Sequence, residues 1–105
     1  MRVLLVDDEE MFLEQTKIFL ERAETQLDIC TAASPMTALK KLDEEEIDVV
    51  VSDYKMPGMD GLQLFRTIRE KKIMVPFIIL TGKGTEKTAI EALNLGVNRY
   101  FRKTG

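Results

Sequence analysis

Asp7 and Asp8, Asp53 and Thr81 stand at the C-terminal ends of short apolar runs, and Lys103 at the end of a half-apolar one. If those runs are parallel strands of one sheet, the acids, the hydroxyl and the amine meet along a single rim. Clustered carboxylates hold hard divalent cations through oxygen, and a hydroxyl and an amine beside them can bond and neutralise the oxygens of a phosphoryl group in transfer. The chain contains no His, which removes the commonest metal ligand and general base and leaves carboxylates to do the coordinating. No phosphohistidine can therefore form on this chain.

The elements that must position these residues follow from periodicity. Val3-Leu4-Leu5-Val6 is an unbroken aliphatic run of the kind a strand buried on both faces requires. From about Glu10 to Arg22, Phe12, Thr16 and Phe19 recur at helical spacing with Leu13 and Leu20 beside them, which predicts an amphipathic helix. Leu27 to Ala33 mixes Ile29 and Cys30 with Asp28 and Thr31, a polar strand suited to a sheet edge. Ser34-Pro35 supplies an N-cap and a proline at the first helical position, ahead of the buried stripe Ala38, Leu39, Leu42 and a solvated acidic end at Asp43 to Glu46.

Val49-Val50-Val51 repeats the aliphatic pattern and runs into Ser52-Asp53, followed by a loop marked by Pro57, Gly58 and Gly61. Asp60 can cap a helix carrying Leu62, Phe65 and Ile68, with Lys71-Lys72 suited to its C-terminal end. Phe77 to Leu80 forms the next strand, closed by Thr81. Thr85 can cap a helix buried through Ala89, Ile90 and Leu93, Gly96 can end it, and Arg99 to Arg102 is the last strand before Lys103. Alternating strands and helices imply an α/β fold with right-handed parallel crossovers, and such open sheets bind ligands beyond the carboxyl ends of their strands. Topology and chemistry thus favour the same rim.

Composition narrows the function. A chain of 105 residues that is 45% hydrophobic suits one domain, residues 1–105. A formal net charge of −3 with no basic stripe argues against nucleic-acid binding. No apolar run approaches a membrane span and no leader precedes the first strand, so a cytoplasmic protein is expected. Cys30 is alone and reads as a buried small hydrophobe.

Taken singly, Asp7-Asp8 is a helix cap, Asp53 a loop acid, Thr81 a turn hydroxyl, Lys103 a surface amine and Tyr100 a core residue. Taken together and in order, the chain resembles the receiver domain of two-component response regulators. The likeness rests on Leu5-Val6-Asp7-Asp8-Glu9, on Ser52 to Gly61 with its Met56-Pro57-Gly58-Met59-Asp60-Gly61 segment, on Leu80-Thr81-Gly82, and on Tyr100 three residues before Lys103. It covers nearly the whole chain. The resemblance implies an open five-stranded parallel sheet of flavodoxin-like order 2-1-3-4-5, doubly wound by helices. It implies that Asp53 accepts a phosphoryl group from a phosphohistidine of a sensor histidine kinase, and that Asp7, Asp8, Asp53 and the backbone carbonyl of Lys55 bind Mg²⁺. It further implies that Lys103 supplies a positive charge, and that Thr81 and Tyr100 switch the surface near the last two strands. Phosphorylation and dephosphorylation would then be confined to the domain itself, with no turnover of a separate substrate.

Two other classes fit less well. A phosphohydrolase with an aspartyl nucleophile, of the haloacid dehalogenase type, pairs that residue with a second Asp two positions on, whereas here Asp7-Asp8 is followed by Glu9-Glu10. Gly82-Lys83-Gly84 matches neither a P-loop nor a dinucleotide fingerprint. A degenerate receiver acting only as an interaction module is the remaining alternative.

The chain departs from the family pattern at several points. Thr104 stands where receivers usually have proline, so a trans bond and an altered loop after the last strand are expected. Gly82 is small, which would leave the phosphoryl site open, and Lys55 and Lys83 occupy positions that tune hydrolysis in the family. The sequence stops where a fifth helix would begin. Either the protein continues past Gly105 into that helix and an output or kinase domain, which is the favoured expectation, or another copy covers the exposed face in a homodimer.

Overall fold

The computed structural model describes residues 1–82 and 84–103. Its elements are β1 (Arg2–Val6), α1 (Glu10–Ala23), β2 (Asp28–Ala32), α2 (Pro35–Glu44), β3 (Val49–Ser52), α3 (Gly61–Glu70), β4 (Phe77–Thr81), α4 (Glu86–Leu95) and β5 (Arg99–Arg102). The strands form one parallel sheet in the order β2-β1-β3-β4-β5. This is the flavodoxin-like arrangement expected of the sequence, with the polar strand β2 at an edge. No helix among the described residues is long and apolar enough to cross a membrane.

Local chemistry sets the helix boundaries. Ser34 accepts the Thr37 N–H at 3.2 Å and precedes Pro35 at the first helical position of α2. Asp60 and Gln63 form a reciprocal capping box, each side chain accepting the other's main-chain N–H at 2.8 Å. Thr85 accepts the Thr88 N–H at 3.1 Å, and Gly96 closes α4 at φ 105°, a left-handed conformation that glycine adopts without strain.

Two apolar layers sandwich the sheet. Leu4, Val6, Val50, Phe77 and Ile79 face α2, α3 and α4, where Leu64, Phe65, Ile68 and Ala92 complete the larger core. Val3, Leu5 and Ile29 face Leu13 of α1 on the other side. Only β1 is buried on both faces; Val49, Val51, Ile78 and Leu80 are half-buried on the α1 side. One helix about 10 Å across covers roughly two strands spaced about 4.8 Å apart, so α1 alone leaves β4 and β5 open there.

That geometry corrects several sequence expectations. Of the α1 stripe, Leu13 alone is buried, while Phe19 is 69% exposed. In α4 the contact is made by Ala92, whose small side chain lets the helix approach, and Ile90 and Leu93 are exposed. The acidic run is not simply solvated: Glu45 pairs with Arg2 at 2.6 Å and Asp43 with Lys71 at 3.1 Å. Cys30 is half-buried, with Sγ 3.8 Å from Glu45 Oε1, and burial pushes its thiol pKa up. The expectation for the bond to Thr104 lies outside the described residues, as does that for Lys83.

Candidate functional site

Register brings the functional residues to one edge. Val6 pairs with Ser52, Ser52 with Ile79, and Thr81 with Arg102. Asp7, Asp53, Thr81 and Lys103 therefore emerge in spatial order at the C-terminal ends of β1, β3, β4 and β5. Main-chain bonds hold that edge together: Asp7 N–H donates to Ala32 O at 3.1 Å, Asp53 N–H to Val6 O at 2.8 Å, and Lys103 N–H to Thr81 O at 2.9 Å. Ligand groups placed by strand ends are held more rigidly than groups on free loops.

Asp7 is 1% exposed and Asp53 6%, unusual values for acids, and Asp8 beside them is open to solvent. One oxygen of each buried carboxylate is held by its own loop. Asp7 Oδ1 accepts the Glu9 N–H at 2.9 Å, and Asp53 Oδ1 accepts the Tyr54 N–H at 2.8 Å. Each Oδ2 faces Lys103 Nζ, at 2.8 Å from Asp7 and 3.9 Å from Asp53. The residue at the N-cap of α1 is Glu9, whose side chain makes no capping bond, so Asp8 does not cap the helix.

Asp7, Asp8 and Asp53 can each offer an oxygen, all within 4.8 Å of one another. Among the described residues, one amine pairs with this set of three carboxylates, which leaves a formal excess of two negative charges. Like charges this close, two of them out of water, call for a counter-charge. A divalent cation with oxygen preference matches both the charge and the donor type, which makes the set compatible with Mg²⁺. Lys55 is exposed and shares an open depression with Asp8, Met56 and Pro57.

Thr81 is fully buried at the end of β4. Tyr100 is not part of the acid cluster. Its ring packs on the α2–α4 side of the sheet, and its Oη is buried without a hydrogen-bond partner among the described residues. Burial, and secondarily Tyr54, pushes this phenol's pKa up.

Sequence reasoning missed two contributors. Phe12 was expected in the core, but its ring lies under Lys103 Nζ, 4.0 Å from centroid to nitrogen. Its position five residues after Asp7, in the opening turns of α1, was the available signal. Gly61 was read as a loop residue and as part of the Met56–Gly61 segment but not as a point of close approach, yet a Cβ there would lie 2.5 Å from Asp53 O and 3.1 Å from Tyr54 Cα. Both obstacles are backbone. Gly61→Ala is accordingly expected to displace the main chain of Asp53 and destabilise the fold by about 1–3 kcal/mol. Urea unfolding would measure the loss, and unchanged stability with an unshifted Asp53 amide resonance would show that the added methyl does not press on the Asp53 main chain.

Comparison with known proteins supports the same interpretation. A family model described as response regulator receiver domain matches residues 3–105. The alkaline phosphatase synthesis transcriptional regulatory protein PhoP of Bacillus subtilis is 35% identical over 102 residues, which are 97% of this chain and 42% of that protein. The transcriptional regulatory protein FlgR of Helicobacter pylori is 35% identical over 103 residues, covering 98% of this chain and 26% of its own length. The chain thus spans less than half the length of these curated relatives. Among solved structures, a response regulator receiver domain protein from Clostridium thermocellum superposes with a TM-score of 0.88 at 35% identity, covering 99% of this chain and 82% of that one. The response regulator protein TrrA from Thermotoga maritima, in complex with Mg(2+)-BeF, gives 0.84 at 33% identity, with coverage of 98% and 86%.

Proposed function

Because this chain belongs to the response regulator receiver domain family, a family of signalling modules, we propose that it is a working phosphoacceptor. Asp53 takes the phosphoryl group. The observation that carries this reading is the buried Asp7–Asp53 pair with Lys103 Nζ at 2.8 and 3.9 Å from their free oxygens.

In this reading the donor is a phosphohistidine on a partner sensor kinase. Asp53 Oδ2 attacks phosphorus, the N–P bond breaks, and the departing imidazole takes a proton, leaving an acyl phosphate on Asp53. Asp7, Asp8, Asp53 and the Lys55 carbonyl would hold Mg²⁺, which when bound supplies positive charge to the transferring oxygens. Lys103 supplies a second positive charge from the β5 side, at an amine already within reach of both buried acids. Thr81, at the end of the next strand, would bond a phosphoryl oxygen. Tyr100 on the neighbouring strand would then change position with it, altering the β4–β5 surface as a population shift between two states. Curated relatives that extend well beyond the matched region support an output segment elsewhere in the full protein.

The test is to incubate the chain with acetyl phosphate, with and without Mg²⁺, and follow intact mass. One phosphoryl adduct that requires the cation is expected. A folded chain that takes none under either condition would be a receiver used only for protein binding.

A further inference from the structure

Lys103 Nζ is held from three directions. Asp7 Oδ2 lies at 2.8 Å, Asp53 Oδ2 at 3.9 Å, and the Phe12 ring centroid at 4.0 Å. The first two contacts are carboxylates from the acid cluster itself. The third is a neutral surface, which attracts a cation through the negative face of the ring without competing as a metal ligand.

This third contact belongs to the site and not to the core. Phe12 is half-buried, and its ring lines the same cleft as Asp7, Asp53 and Leu80. Helix α1 begins directly after the acidic loop, so the ring is fixed relative to Asp7 by one short stretch of chain. Lys103, by contrast, reaches the cleft from the far end of the sequence on a side chain with several rotatable bonds. Its aim must come from what the amine touches.

The shortest of those contacts is to Asp7. That carboxylate is also a member of the metal-compatible set, and an oxygen engaged with a divalent cation has less to offer an ammonium group. The ring loses nothing when a cation arrives. We propose that Phe12 is a positioning residue for phosphoryl transfer: its ring face keeps Lys103 Nζ over Asp53 when Asp7 is committed to the cation. The proposal rests on the phosphoacceptor reading above and adds a residue to it.

The experiment replaces Phe12 with progressively fluorinated phenylalanines, which drain the negative face of the ring with little change in size, and with Leu and Tyr. Two quantities are read on the chain. In metal-free protein, NMR should show the Lys103 ε-methylene shielded by the ring in wild type and relaxed to an ordinary shift in Phe12→Leu. With Mg²⁺, the second-order rate of adduct formation from acetyl phosphate should fall stepwise with fluorination and drop about three- to tenfold in Phe12→Leu. Phe12→Tyr should restore most of it. A fluorinated chain that reacts as fast as wild type overturns the proposal and leaves the phosphoacceptor reading intact, and so does an unshielded Lys103 in wild type. A wild-type chain that forms no adduct overturns both.

Discussion

Asp53→Asn is expected to abolish adduct formation from acetyl phosphate outright, whatever the Mg²⁺ concentration. Asn is nearly isosteric, and its side-chain carbonyl can still accept the Tyr54 N–H that Asp53 Oδ1 now accepts at 2.8 Å. The loop geometry should therefore survive. What is removed is the proposed nucleophile, Oδ2, the oxygen 3.9 Å from Lys103 Nζ, together with one of three crowded negative charges. An amide nitrogen is no substitute, because its lone pair is delocalised into the carbonyl. The same change relieves repulsion against Asp7 and Asp8, so metal-free Asp53→Asn should be as stable as wild type or more so. Intact mass gives the adduct and thermal unfolding gives the stability. The combination of lost chemistry and retained stability separates a missing nucleophile from a damaged fold. A residual adduct in this variant would place the acceptor on another carboxylate, with exposed Asp8 the first to examine.

Much of this site was legible because strand ends are legible. Val3 to Val6, Val49 to Val51 and Phe77 to Leu80 are aliphatic runs with a polar residue at one end, and a parallel sheet must bring such ends to one edge. The caps at Ser34, Asp60, Thr85 and Gly96 were equally local, each set by a side chain or a φ angle within a few residues. What sequence could not supply was the partner across space. Helical periodicity places Phe12 and Phe19 on the same stripe, but whether a stripe is covered depends on how many strands lie beneath it. Leu13 found β1 and β2, Phe12 found an amine from the far end of the chain, and Phe19 found solvent. Glu45 likewise looked like part of a solvated run until Arg2, at the start of β1, reached it. Close approach is the other blind spot, since a glycine needed for space looks like a glycine needed for a turn.

Gly84→Ala is where that distinction should matter most: the substitution is expected to drive the Tyr100 ring out of its inward seat. A Cβ at position 84 would lie 1.6 Å from Tyr100 Oη, 2.9 Å from its Cζ and 3.0 Å from Thr81 Cγ2. Methyl and ring cannot share that space. The obstacle is the far end of a side chain, so rotation of Tyr100 towards solvent relieves the clash at less cost than moving strand β4. The inward position is also weakly held, because its hydroxyl is buried without a partner among the described residues. A desolvated hydroxyl of this kind costs about 1–3 kcal/mol. A bias of about 2.7 kcal/mol already changes a two-state ratio a hundredfold, so the clash should leave little of the inward form. Alkaline spectrophotometric titration of the tyrosines reads the result directly. In wild type the Tyr100 phenol should ionise above the ordinary tyrosine range, since burial raises its pKa, and in Gly84→Ala it should ionise within that range. The stability consequence has a definite sign. A pKa raised in the folded state gives stability that is complete below the unfolded value near 10 and is lost as pH rises through the folded value. Wild type should therefore lose stability more steeply above pH about 10 than Gly84→Ala does. Identical phenol titrations in the two chains would show that Gly84 does not govern the ring. If Asp53 is the acceptor, it should still take a phosphoryl group in the variant, since neither Gly84 nor the Tyr100 hydroxyl belongs to the acid cluster, and the resonances of β5 should then fail to follow the adduct, as they are expected to in wild type.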